Sequence, residues 1–153
     1  MTFVSDFPQI DNHVYLLTLK GGFRLYEQAL ILRSGKGLVI ITGCAHPGII
    51  QIIESAKERF GEPIHLVLGG FHLFRKNRKF IDKVVNQFKL LEVEKAAPCH
   101  CSGDEAIAKF QTEYKDNFYR IGTGTIIILG KASSYTQDLQ NDNSVCSDLI
   151  GQA

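Results

Sequence analysis

"LVIITGCAHPGIIQIIESAKERF", residues 38–60, decides the fold. Leu38 to Thr42 are almost wholly apolar and β-branched, the composition of a strand. From Pro47 the period changes. Ile49, Ile50, Ile52, Ile53, Ala56 and Phe60 recur at helical spacing. Pro47 suits a first helical turn, where its missing N–H would be unpaired anyway, and Gly61 makes a sensible stop. A buried strand that runs straight into an amphipathic helix predicts a helical crossover to a parallel neighbour.

Reading outward extends the alternation. Upstream, Val14 to Leu19 and Gln28 to Arg33 read as strands. "GGFRLYE" (21–27) reads as the loop between them, and "SGKG" (34–37) as the turn before Leu38. Downstream come a strand over Ile64 to Leu68 and a helix marked by Phe80, Ile81, Val84, Val85, Phe88 and Leu91. A short strand over Lys95 to Pro98 follows. Ser102 and Glu105 fit a capping box, which predicts a third helix over about 103–114. Phe118 to Ile121 and Thr125 to Leu129 read as a closing hairpin. The order β-β-β-α-β-α-β-α-β-β implies one α/β domain over 1–130, a mixed sheet with its middle strands parallel. From Lys131 onward the polar sequence reads as a disordered tail, Cys146 included.

Composition narrows the function classes. The 153 residues have a formal net charge of +1, which demands neither nucleic acid nor an anionic membrane. Charged residues or glycines interrupt every apolar run before it reaches membrane-spanning length. The start, "MTFVSDFPQIDNH", has no apolar core of a signal peptide, so the expected compartment is the reducing cytoplasm, with free thiols. The four cysteines, Cys44, Cys99, Cys101 and Cys146, have neither CxxC nor zinc-ribbon spacing.

The alternation makes three of the five histidines informative. His46, His72 and His100 each follow a strand and precede a helix. In a parallel sheet those strand ends form one rim, where ligands bind. Imidazole and thiolate bind the same borderline-soft metals. Cys44 and His46, like Cys99 and Cys101, are two residues apart, a spacing that points side chains to one side in extended chain. The rim therefore offers His46, His72, His100 and some of the three cysteines. The plainer reading of any one of these histidines is a cap or surface residue, and of Cys44 a small buried one. His13 precedes the first strand, and His65 lies inside a strand as a structural residue. The basic run "FRKNRK" (74–79) is ordinarily a solvated helix face; near His72 it would also attract an anionic substrate group.

Three blocks carry a resemblance: "EQALILRSGKGLVIITGCAHPGIIQIIESAKERFGEPIHLVLGGFHL" (27–73), "APCHCSGDEAI" (97–107) and "IGTGTIIIL" (121–129). Over residues 14–130 the chain resembles the C-terminal half of metallo-β-lactamase-fold hydrolases. The branch it is most similar to is the archaeal and bacterial one called dihydropterin-ribofuranosylaminobenzene-phosphate synthase, a name linked to methanopterin synthesis. The resemblance implies half of an αββα sandwich with helices on one face. It implies one or two metal ions, usually zinc, with iron or manganese in some members, and a metal-activated water that attacks an ester, amide or phosphoester. It implies metal ligation by His46 and His100, with Cys44 and His72 as further candidates. His72, with Gly70 and Phe71 before it, is a candidate to bind a small-molecule substrate.

The family's HxHxDH motif is absent: no two histidines of this chain are two residues apart. The resemblance thus implies a truncated or split domain. It would present a bare apolar sheet face and pair as a homodimer or with a chain supplying the N-terminal half. Three functions compete on this reading. The first is a hydrolase-like metalloprotein. The second is a non-catalytic binding module or subunit. The third is a redox or iron–sulfur protein using Cys44, Cys99 and Cys101, for which the usual tight cysteine spacings are missing.

Overall fold

The computed structural model describes residues 7–21 and 25–129. A single sheet carries six strands in sequential order: β1 (Gln9–Asp11), β2 (Val14–Lys20), β3 (Tyr26–Ser34), β4 (Gly37–Thr42), β5 (Ile64–Gly70) and β6 (Lys95–Cys99). The pairs from β1 to β4 are antiparallel, and β4, β5 and β6 run parallel. The crossovers carry α1 (Ile49–Phe60) and α2 (Arg78–Leu90), and α3 (Asp104–Tyr114) follows β6. The α/β architecture read from the sequence is the observed one. β1 went unread because three residues of mixed character, Gln-Ile-Asp, carry no period.

One core lies between the sheet and all three helices. Leu17 and Leu19 of β2, Ala29 and Ile31 of β3, Leu38 and Ile40 of β4 and Val67 of β5 meet Ile52 and Ile53 of α1, Val85 and Phe88 of α2, and Phe110 of α3. Phe71, Phe88 and Phe110 are buried, with ring centroids 4.9–5.4 Å apart in tilted and edge contacts. α1 ends at Gly61, which takes the left-handed conformation at φ 64°, and its N–H donates to the Lys57 carbonyl. α2 begins at Asn77, whose side chain accepts from the Phe80 N–H.

The opposite face is not bare, which corrects the sequence expectation. Val39, Leu66 and Ala97 are sealed there by Tyr119, Ile121, Ile127 and Leu129. The covering segment is the stretch read as a hairpin, and it forms no strand. Its only ladder contact among the described residues is one bridge from Phe118 to Ala96, with the Tyr119 N–H donating to the Ala96 carbonyl. The alternation of "TIIIL" is nevertheless real. Ile127 and Leu129 pack on the sheet, while Ile126 is 79% and Ile128 51% exposed. Period-two patterning reports which side chains are covered and cannot by itself supply a hydrogen-bonding neighbour.

The capping box is also corrected. α3 has Gly103 at its N-cap and no side-chain cap bond. Ser102 is wholly buried instead: its Oγ accepts from the Phe71 N–H at 3.1 Å and donates to the Cys99 carbonyl at 2.7 Å. Asp104 and Glu105 put negative charge at the helix start, where the macrodipole favours it. The tail from Lys131, with Cys146, lies outside the described residues.

α2 and α3 are tied by charge. Glu113 accepts from Lys89 and Lys109, and Lys109 also reaches Asp82 at 3.1 Å. The two lysines hold the Glu113 carboxyl down at about 2, from an ordinary 4.5. A lowered folded-state pKa contributes stability that is complete above the ordinary value and lost as pH falls through the folded one. Glu113→Gln should therefore melt below the wild type at pH 6. The two melting curves should converge between pH 4.5 and about 2. A gap that persists unchanged below that window would show that the carboxylate is not its source.

Candidate metal centre

The C-terminal ends of β4, β5 and β6 lie side by side, and each runs into a loop bearing one of the three histidines. Each loop also holds a non-glycine residue in the left-handed region: Ala45 at φ 60°, His72 at φ 52° and His100 at φ 50°. Such backbone is sparsely populated and persists only where the surroundings hold it, a condition found often at functional sites.

The rim sorts its candidates into two groups. Cys44, His100 and Cys101 offer two sulfurs and a ring nitrogen within 4.8 Å of one another. Among the described residues they are the one set of three or more His, Cys, Asp or Glu side chains so placed. His46 and His72 form the second group, with ring centroids 4.6 Å apart. The expectation that residues two apart point the same way fails in both loops. Ala45 turns the chain between Cys44 and His46. Cys99 is the last residue of β6, whereas His100–Ser102 is a 3₁₀ turn that carries Cys101 back toward Cys44. Cys99 faces instead a cavity of about 380 Å³ on the other side of the sheet, shared with His100, Leu68 and Ile127.

β5 lies between β4 and β6, so residues past the outer two strands can meet only over its end. That end is Gly69-Gly70. A Cβ on Gly70 would stand 2.3 Å from the Gly43 carbonyl oxygen, 2.8 Å from Cys101 Sγ and 3.1 Å from Cys44 Cα. Gly70, a sequence candidate for substrate contact, thus lies beneath the thiols. His65 is buried within β5 with Nδ1 2.7 Å from Glu94, away from the rim as read.

Sequence reading missed Glu27, placed there in a loop. It belongs to β3, and its carboxylate spans to the β4 loop. Oε1 accepts from the N–H groups of Cys44 and Ala45, each at 2.7 Å. Oε2 accepts from the His46 N–H at 2.6 Å and bonds His46 Nδ1 at 2.9 Å. A carboxylate can only accept, so Nδ1 carries the proton and the Nε2 lone pair is free. Burial pushes the Glu27 carboxyl up, but the backbone bonds from His46, Cys44 and Ala45 outweigh it and the net shift is downward. The only sequence signal was one acid ahead of an apolar run. Burial, then the adjacent Cys101, push the Cys44 thiol up. Burial does the same for Cys99.

A cavity of about 280 Å³ opens on the helix side of the rim. His46 and His72 stand at it, Phe71, Leu73, Ile50 and Phe80 give it apolar walls, and Lys76 brings one cation. The predicted substrate residues His72 and Phe71 line it, and Gly70 does not. Among the described residues, no helix is long and apolar enough to cross a membrane.

This mixed sheet, with helices on one face and histidines and cysteines gathered at its strand ends, is similar in fold to part of a solved structure of the β-lactamase superfamily. The chain superposes with a TM-score of 0.71 and 32% identity on the crystal structure of a metal-dependent hydrolase of that superfamily, over 80% of this chain and 56% of that one. In sequence it is 35% identical over 102 residues to the 7,8-dihydropterin-6-methyl-4-(β-D-ribofuranosyl)-aminobenzene-5′-phosphate synthase of Methanocaldococcus jannaschii. That match covers 66% of this chain and 35% of the synthase. An uncharacterized protein of the same organism is 36% identical over 89 residues, 58% of this chain and 33% of that protein. The chain thus spans about a third of the length of the curated relatives it matches. No protein-family model matches it. These likenesses bear out the resemblance read from the sequence.

Proposed function

We propose that this chain is a metal-binding, hydrolase-like protein whose rim carries the ion and whose helix-side cavity takes a small anionic molecule. The observation that carries this reading is the gathering of Cys44, His100 and Cys101 beside the His46–His72 pair on one rim. The donor chemistry fits a metal: nitrogen and sulfur suit zinc or iron, while an all-oxygen set would suit manganese or magnesium. An ion held there would supply Lewis-acid polarisation of an ester or phosphoester and activate water near neutral pH. The chain's own residues do the rest. Glu27 fixes the His46 ring with Nε2 free. The apolar cavity walls exclude water from the substrate body. Lys76 offers a cation to a phosphate or carboxylate.

A second reading is a binding module without turnover. Metal analysis and one assay separate the two. Purified protein should hold about one equivalent of zinc or iron, with most of it lost in the His46→Ala/His100→Ala double variant. Loaded protein should then hydrolyse a generic phosphodiester or lactone faster than the variant. Metal without turnover would favour the binding module. A folded protein with no metal would remove the proposal.

A further inference from the structure

We infer that Cys44 and Cys101 are a reversible redox pair, which closes a disulfide across the end of β5 when a small-molecule disulfide oxidises it and reopens on reduction. The bridge needs no ion, so its test and that of the proposed function fail separately.

Three observations carry it. The first is proximity with nothing between. The two sulfurs lie within 4.8 Å of each other, and Cys101 Sγ is 3.4 Å from the Cys44 carbonyl oxygen. The space a Gly70 Cβ would fill is bordered by Cys101 Sγ and Cys44 Cα, so β5 puts no side chain in the way. Rotation about the two Cα–Cβ bonds then brings the sulfurs toward the ~2 Å of a disulfide. The second is that both backbones are already held. The Cys44 N–H donates to Glu27 at 2.7 Å. The Cys101 carbonyl accepts from the Phe74 N–H at 3.0 Å, and the next residue, Ser102, is bonded to Phe71 and Cys99. The third is access and selectivity. Both thiols are free and only part-buried, the setting of a labile rather than a structural disulfide. Cys99, two residues from Cys101, faces the cavity on the other side of the sheet.

The step is two successive exchanges. One cysteine sulfur attacks a sulfur of the small disulfide, whose S–S bond breaks and releases one thiol. The other cysteine sulfur then attacks the mixed disulfide, forming the Cys44–Cys101 bond and releasing the second thiol. The two cysteines lose two electrons and two protons, and the small disulfide leaves as two thiols that carry them. Closed, the bridge fastens the β4 loop to the turn after β6 and draws both sulfurs away from His100. It also closes a loop between residues 57 apart, which restricts the unfolded chain and stabilises the folded one. The rim thereby responds to the thiol–disulfide balance around it.

The full chain, reduced and freed of metal by a chelator, is equilibrated with graded ratios of oxidised to reduced glutathione, alkylated, and digested with trypsin. The expected product joins the peptide 37–57, which holds Cys44, to the peptide 96–109, which holds Cys99 and Cys101. Fragmentation of that product should find Cys99 alkylated, which assigns the bridge in the wild type without any variant. Dithiothreitol should reverse it. Less than about a tenth of the oxidised Cys101 should remain as the glutathione adduct, because the second thiol is already in place. Cys99→Ser should form the same bridge, whereas Cys44→Ser and Cys101→Ser should stop at the adduct. Oxidation should raise the urea midpoint of the wild type and of Cys99→Ser, and leave those of Cys44→Ser and Cys101→Ser unmoved. A stable glutathione adduct on wild-type Cys101, a bridge that uses Cys99 or Cys146, or a bridge that lowers the urea midpoint would each overturn the inference.

Discussion

Alanine at Gly69 or Gly70 should cost the fold about 3 kcal/mol or more, the upper end of overpacking penalties. The cause is backbone against backbone, which side-chain motion cannot relieve. At Gly69 the new Cβ would stand 2.1 Å from the Thr42 carbonyl oxygen, at a φ of 120° that L-residues rarely adopt. At Gly70 it would stand 2.3 Å from the Gly43 oxygen and 2.8 Å from Cys101 Sγ. The sheet must open between β4 and β5, or Cys101 must leave Cys44. Urea unfolding measures the first outcome and disulfide trapping of Cys44 with Cys101 the second. Gly122→Ala is the control, since its Cβ would meet nothing within 4 Å. It should change stability by less than about 0.5 kcal/mol. An unfolding midpoint for Gly70→Ala equal to that of the control would refute the close approach of the two strand ends.

Glu27→Ala should rank next, with a loss of about 2 kcal/mol and a weakening of metal affinity of about 10–100-fold. One carboxylate, mostly buried, holds three successive N–H groups and the His46 ring. Without it those donors turn to water and the β4 loop loses the anchor that places Cys44. Glu27→Gln separates shape from charge: the amide keeps one acceptor but presents N–H toward N–H, so it should recover part of the stability and little of the affinity. Nitrogen NMR on His46 gives a readout that simple destabilisation would not move. The wild type should show the Nδ1–H tautomer and Glu27→Ala a mixture. An unchanged tautomer in a folded Glu27→Ala would mean that the carboxylate does not orient the ring.

Much of the fold was legible because local rules agreed with one another. Leu38 to Thr42 are buried on both faces and read as an unbroken apolar strand. The Ile49 to Phe60 period and Gly61 bounded α1 within two residues. Where two uses of a residue compete, the local reading failed. Ser102 matched a cap but serves as a buried staple. Thr125 to Leu129 matched a strand but cover the sheet without joining it. In the site, the three equivalent histidines were legible because strand-then-helix order puts them on one rim. Their sorting into two groups was not, since it follows from left-handed turns at Ala45 and His100 that no residue type there demands.

The sequence by itself determined the element order, the apolar faces and which strand ends carry chemistry, because patterning and turn residues act within a few positions of themselves. Only the tertiary structure decided that Cys101 meets Cys44 across a strand of bare glycine, that Cys99 points elsewhere, and that Glu27 of a distant strand holds the loop. Those relations depend on which strands are neighbours and how far each side chain reaches. Separation along the chain, such as the 57 residues between Cys44 and Cys101, does not encode that distance.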